Sequence, residues 1–287
     1  MKIYSFLLLF ILFASCQSAE SQSSSPPTIT VNTQQAEPKF INSNGKTIQT
    51  RFLPPTGFTR VTSAENSYAA YLQNLPLHPH GAKVHYYNGA EKYNDVYEAV
   101  VNIDVGKRDL QQCADAIMRL RAEYLYAQKD YENIHFNFVS GDRIDYDKWR
   151  KAYRVRVSGN DVSWVKSAAA SDDYKSFRKY MDIIFSYAGT LSLAKELKPV
   201  SIKNIQIGDV FIQGGSPGHA VVVVDLVENK ETGERRFLLA QSYMPAQEIH
   251  VLKNMANANG SPWYSNFSEG NIGTPEWGFR VEDLKRF

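Results

Sequence analysis

Four consecutive valines, Val221 to Val224, constrain this chain more than any other stretch. Such a run is too apolar to present a face to water, so it predicts a strand covered on both sides. The segment around it, Gly208 to Gln247, reads as a β-hairpin. Lys230-Glu231-Thr232-Gly233 is a polar connection ending in glycine, and Arg236 to Ala240 begins the return strand. One residue departs from plain core chemistry. His219 stands at the mouth of the valine strand, after the glycine-rich Gln213-Gly214-Gly215-Ser216-Pro217-Gly218. A titratable ring at the end of a loose loop is either a packing detail or half of an active site.

The amino end sets the compartment. Lys2 precedes an apolar run from Ile3 to Phe13, and Ala14-Ser15 are small, the pattern of an export signal over residues 1–15. The run is shorter than the roughly 20 apolar residues a spanning helix needs. Leu12-Phe13-Ala14-Ser15-Cys16 resembles the bacterial lipobox, which implies lipidation of Cys16 and a lipid anchor in the inner or outer membrane of a bacterial cell envelope. Phe13 stands where that pattern usually has leucine. Residues 16–39, rich in Ser, Gln, Thr and Pro, have too little apolar surface to offset their ordering entropy and read as a disordered tether.

Residues 40–287 carry no second linker or repeat and are expected to form a single α+β domain. A net charge of +2 without a basic stripe argues against nucleic acid as a partner. His78-Pro79-His80 with His85 nearby lacks the ligand set of a zinc site and reads as a surface turn. No metal and no cofactor is expected.

If Cys16 carries lipid, Cys113 is the free thiol of the mature chain. The pattern from Asp109 predicts a helix, with Asp109 as N-cap and Gln112 completing a capping box. Leu110, Cys113, Ile117, Leu120 and Tyr124 fall on its inner face. Cys113 then ends the first turn, where the partial positive charge of the helix start favours a thiolate and a depressed thiol pKa. Further helices are expected over 172–188 and 191–197, strands over 96–105 and 134–139, and a final helical turn over 281–287.

A cysteine at a helix start, a later Gly218-His219 opening a strand, and a polar residue on the next strand resemble the papain-like cysteine peptidases. The nearest likeness is to the cell-wall branch, the NlpC-type endopeptidases and CHAP amidases, which also show a Gly-Asp like Gly208-Asp209 ahead of the histidine. The resemblance implies a papain-like α+β fold, its cysteine-bearing helix packed on a central antiparallel sheet, with extra helices inserted. It implies Cys113 as nucleophile and His219 as general base, and a third group on the return strand. Gln241 is the first candidate there, with Ser242 and Tyr243 as alternatives. Gln112 or Gln111, with the Cys113 amide, would serve an oxyanion. The expected substrate is a cell-wall peptide or glycopeptide.

Three departures bear on the substrate class: Ala114-Asp115 follows the cysteine, the Cys-to-His gap is long, and glutamine is an unusual third member. The same order of motifs fits transglutaminase-like acyl transferases, in which an aspartate closes the triad. A catalytically silent module binding envelope peptides or glycans is the further alternative. Over nearly the whole mature length the chain also looks like exported bacterial lipoproteins grouped only under a domain of unknown function. Trp263, Tyr264 and Trp277, in turn-rich sequence late in the chain, are candidate substrate-stacking residues.

Overall fold

A computed structural model describes residues 39–265 and 270–287. The export signal, Cys16 and nearly all of the tether lie outside the described residues. Pro38 to Phe287 forms one compact unit. It is a mixed α+β structure built on an antiparallel sheet, with helices on one face.

In chain order the elements that position the site begin with β1 (Tyr97–Val100) and α1 (Cys113–Ala127). Two further helices follow, α2 (Tyr174–Tyr187) and α3 (Thr190–Glu196). Strands β2 (Val210–Gln213), β3 (His219–Glu228) and β4 (Arg235–Gln241) carry the valine segment, and β5 (His250–Leu252) and β6 (Leu284–Arg286) complete the sheet. Its order is β1-β5-β4-β3-β2-β6, with Lys198–Pro199 at the far edge and short pieces joining β3 and β4.

The valine strand is covered on both sides, as its composition demands. Residues alternate along a strand, so Ala220, Val222 and Val224 enter one core with Ile117, Leu120 and Ile184. Val221 and Val223 enter a second core with Phe211, Phe237, Leu239, Phe279 and Leu284. Each valine buried this way contributes roughly 1.5–3 kcal/mol. The connection closes with the Asn229 amide bonded to the Glu234 carbonyl at 2.8 Å. The register then shifts once, at a bulge between Leu238 and Leu239.

α1 starts at Cys113, four residues after the expected N-cap. The Asp109 carboxylate is used elsewhere, accepting the Ala246 amide at 2.7 Å and the Gln112 side chain at 3.2 Å. Gln112 is the N-cap, and Asp115 at N3 accepts its amide at 3.0 Å, which is the carboxylate half of a capping box. The helix is not a half-exposed amphipathic element. Every residue from Cys113 to Leu120 is buried, Asp115 and Arg119 included. Arg119 is held by the Gln111 side chain at 2.6 Å and the Asp104 carboxylate at 2.9 Å.

α2 begins as expected, its N-cap Asp173 accepting the Ser176 amide at 2.6 Å. The carboxyl end differs from expectation. Val281–Asp283 is a single 3-10 turn, and the chain then runs as β6, pairing Leu284 with Phe211. Leu284 is wholly buried in the second core, and that burial outweighs the local helical pattern.

Candidate active site

His219 is placed by the loop that precedes it. Thr190, the first residue of α3, accepts the Gly215 amide at 3.4 Å and donates to the Gly215 carbonyl at 3.2 Å. At Gly218 a Cβ would lie 2.4 Å from the Thr190 Oγ1 and 2.6 Å from the Gly215 carbonyl oxygen, so only glycine fits. The loop is therefore pinned to α3, not loose as its composition suggests.

The His219 ring is 1% exposed. Tyr243, Trp277 and Phe279 surround it at centroid distances of 4.8, 5.5 and 5.9 Å. Burial holds its pKa down to about 4, against the raising effect of its hydrogen bond to Gln241. The ring is neutral at neutral pH.

Its polar contact is the one expected from the return strand. His219 Nε2 lies 2.8 Å from Gln241 Oε1. The bulge at Leu238/Leu239 makes this reachable. Extending the register that pairs Ala240 with Val222 brings position 243 opposite His219 and leaves Gln241 as its diagonal neighbour, within reach of a long side chain. A carboxamide oxygen only accepts, so Nε2 carries the proton and Nδ1 is the bare nitrogen.

The partners behind Gln241 were not anticipated from sequence. Its amide nitrogen donates to Glu276 Oε2 at 2.6 Å, and Glu276 Oε1 pairs with Lys92 Nζ at 2.7 Å. The same amide nitrogen lies 3.4 Å from His250 Nε2. His250 Nδ1 lies 2.9 Å from the Glu248 carbonyl oxygen, so it donates there, and burial lowers the pKa of His250 to about 4. Ser242 lies elsewhere, its hydroxyl within hydrogen-bond distance of the Gln111 and Gln247 carbonyl oxygens at 3.1 and 2.8 Å.

Cys113 sits across the strand from this arrangement. It lies at the head of α1, which packs on β3 from the face of Ala220 and Val222, and its sulfur is in contact with the Ala220 amide. The side chain of His219 follows the opposite parity, with Val221 and Val223. Among the described residues no hydrogen bond joins the sulfur to the imidazole. Tyr243 spans the gap, ring-to-ring with His219 and within electrostatic reach of Cys113.

The thiol behaves differently from the expectation for a helix start. Burial pushes it up to about 11, and the neighbouring Asp115 carboxylate adds to the rise. Asp115 is itself raised to about 8 by burial. One of its oxygens is buried without a partner, as is the Gln111 amide nitrogen. The helix dipole is real but small, and removing a thiolate from water is the larger effect.

Cys113 opens on a cavity of about 430 Å³, lined also by Gln112, Asp115, Phe185, Leu191 and Met244. Gln112 is thus at the cavity wall, next to the Cys113 amide. Of the three aromatics expected to stack on substrate, Trp277 is half-buried against His219, its indole N–H donating to Gln213 Oε1 at 2.9 Å. Trp263 and Tyr264 do not form a groove. Trp263 is wholly buried with its indole N–H on the Leu53 carbonyl at 2.9 Å, and the Tyr264 hydroxyl donates to the Lys253 carbonyl at 2.6 Å. They tie the late chain to the core.

His78 and His85 flank the Glu248 carboxylate at 3.4 and 3.2 Å, and among the described residues no cluster could hold a metal ion. Nor, among those residues, is any helix long and apolar enough to cross a membrane.

Residues 48–286 match the family described as Domain of unknown function (4846), and the chain belongs to that family. No curated protein and no solved structure matches it.

Proposed function

We propose that this protein is a papain-like thiol hydrolase, anchored in a bacterial cell envelope through lipid on Cys16, that cleaves an amide bond in peptidoglycan stem peptides. The observation that carries the reading is the 2.8 Å contact between His219 Nε2 and Gln241 Oε1. It orients a neutral imidazole with Nδ1 free to take a proton, and across the strand Cys113 lines a cavity. A nucleophile, a base and a group that orients the base are the parts such chemistry requires.

In this mechanism His219 Nδ1 takes the Cys113 proton as the sulfur attacks the carbonyl carbon. The Cys113 amide and the Gln112 side chain receive the oxyanion. The imidazolium returns the proton to the leaving nitrogen as the C–N bond breaks, and water then hydrolyses the thioester. The resting thiol is neutral, so proton transfer accompanies attack and the ion pair is not formed in advance. Bringing sulfur and Nδ1 into contact requires closure on substrate, since catalytic hydrogen bonds often tighten only in the complex.

The buried, protonated thiol favours one other reading, a silent module that binds envelope peptides without cutting them. Release from sacculi, with and without iodoacetamide, separates the two. For the hydrolase, purified sacculi release new amino groups, and both alkylation of Cys113 and His219→Ala abolish that release. No release from sacculi by the wild-type protein would leave binding as the function.

A further inference from the structure

We infer that Glu276 is a positioning residue of this site: it holds the Gln241 carboxamide in the one orientation that keeps the proton of His219 on Nε2 and leaves Nδ1 bare. The inference rests on reading His219 as the base, and it concerns a residue 57 positions further along the chain, on the turn before Trp277.

The argument is an inventory of protons. A glutamine side chain presents an oxygen at one end and an NH2 at the other, and the two ends have nearly the same shape. At Gln241 the choice is made by its neighbours. A carboxylate only accepts, so Glu276 Oε2 at 2.6 Å must face the NH2. His250 agrees, because its Nδ1–H is given to the Glu248 carbonyl at 2.9 Å. That leaves its Nε2 as an acceptor, 3.4 Å from the same NH2. The oxygen of Gln241 is therefore turned to His219 Nε2, which must donate.

Reverse the amide and each assignment fails together. Oxygen would meet carboxylate, and the NH2 would meet His219 Nε2. The ring would then have to carry its proton on Nδ1, the nitrogen the mechanism needs bare. His219 and Gln241 alone do not distinguish the two arrangements, since either satisfies one hydrogen bond. Glu276 breaks the tie, and its other oxygen pairs with Lys92 at 2.7 Å. Lys92 is 6% exposed. Among the described residues, the charged and titratable groups around His219 are Lys92, Glu276, His250 and Tyr243.

The experiment is 15N NMR of the histidine side chains at pH 7, which distinguishes a protonated from a bare ring nitrogen without any substrate. The wild-type protein is expected to show His219 protonated on Nε2. Glu276→Gln is nearly isosteric and can satisfy either end of Gln241, so the Nδ1–H form should appear as a second population. Lys92→Met combined with Glu276→Gln removes both charges of the pair and should show the same mixture, which separates loss of orientation from a lone buried ammonium. Gln241→Glu in the Glu276→Gln background restores an acceptor beside His219 and should return the ring to Nε2–H. On sacculi, Glu276→Gln should lower kcat by about 10-fold to 100-fold, the range for outer partners that orient a functional imidazole, with KM little changed.

An unaltered Nε2–H ring in Glu276→Gln overturns the inference, whatever the activity. A folded wild-type protein inert toward sacculi, with the tautomer still dependent on Glu276, overturns the hydrolase reading and leaves this inference standing.

Discussion

The two halves of the candidate site are built to different standards. On the histidine side hydrogen bonds of the correct sense join Lys92, Glu276, Gln241, His250 and His219 Nε2, His219 Nδ1 is left bare, and three aromatic rings pack around His219. On the cysteine side an Asp115 oxygen and the Gln111 amide nitrogen are buried without a partner. A buried polar atom without a hydrogen bond costs about 1–3 kcal/mol, and natural proteins keep few of them. The histidine half is held together by hydrogen bonds among its own residues. The cysteine half, which lines the cavity through Gln112, Cys113 and Asp115, keeps buried polar atoms without a hydrogen bond.

The largest effect expected on that contrast is the loss of the sulfur. Cys113→Ala should reduce release of amino groups from sacculi by at least about 10³-fold, as removal of a nucleophile does, while binding and thermal stability change little. Retained turnover would remove the cysteine half from the chemistry.

Next is acid unfolding. His219 and His250 have folded pKa values near 4 against about 6.5 unfolded, so the unfolded chain binds more protons between those values. Their contribution is present above pH 6.5 and lost as pH falls toward 4, on the order of 3 kcal/mol for each ring at 1.36 kcal/mol per unit. His250→Gln should flatten the fall of stability with acid in a denaturant titration repeated from pH 7 to 4. An unchanged slope would show that the ring is wetter than its surroundings imply.

Asp115 gives the opposite sign. Its folded pKa is raised to about 8, so the folded state binds the extra proton. That group's contribution is present below about 4 and lost as pH rises through 8. Asp115→Asn should therefore gain stability relative to wild type as pH increases. It should also move the alkylation profile of Cys113 to lower pH, because a negative neighbour is gone.

The smallest effects concern packing around the histidine loop. Gly218→Ala has no room for its methyl and should cost about 1–3 kcal/mol in unfolding free energy. Trp277→Phe loses the bond to Gln213 and should cost about 1 kcal/mol, with the His219 environment still dry. If Trp277→Phe disturbed His219 more than Gly218→Ala did, the loop and not the ring jacket would be the lesser support.

How much of this was legible in the sequence follows the reach of local rules. The doubly covered valine strand, the polar hairpin connection, and the helix expected over 172–188 all depend on neighbours in the chain, and they were readable. The third site group was readable only as a choice, because a single bulge at Leu238/Leu239 decides which side chain meets His219. Glu276, Lys92 and His250 were not readable at all. Their roles come from partners brought together by the sheet, and a glutamate in a late turn looks like any solvated charge. The thiol was misjudged for a related reason. Position along a helix predicts the dipole, whereas burial of the whole first turn, with Asp115 inside it, comes from packing of α1 on β3. Trp263 shows the same limit, since an aromatic in turn-rich sequence reads alike whether it faces solvent or the core.

The ion pair between Lys92 and Glu276 spans 184 positions. Closing so long a loop is entropically costly and is repaid only when distant segments have already docked. A nascent chain that has emerged through β4 holds both His219 and Gln241 but nothing to fix which way the amide faces. The orientation proposed for the imidazole thus depends on segments that precede and follow the hairpin being docked together.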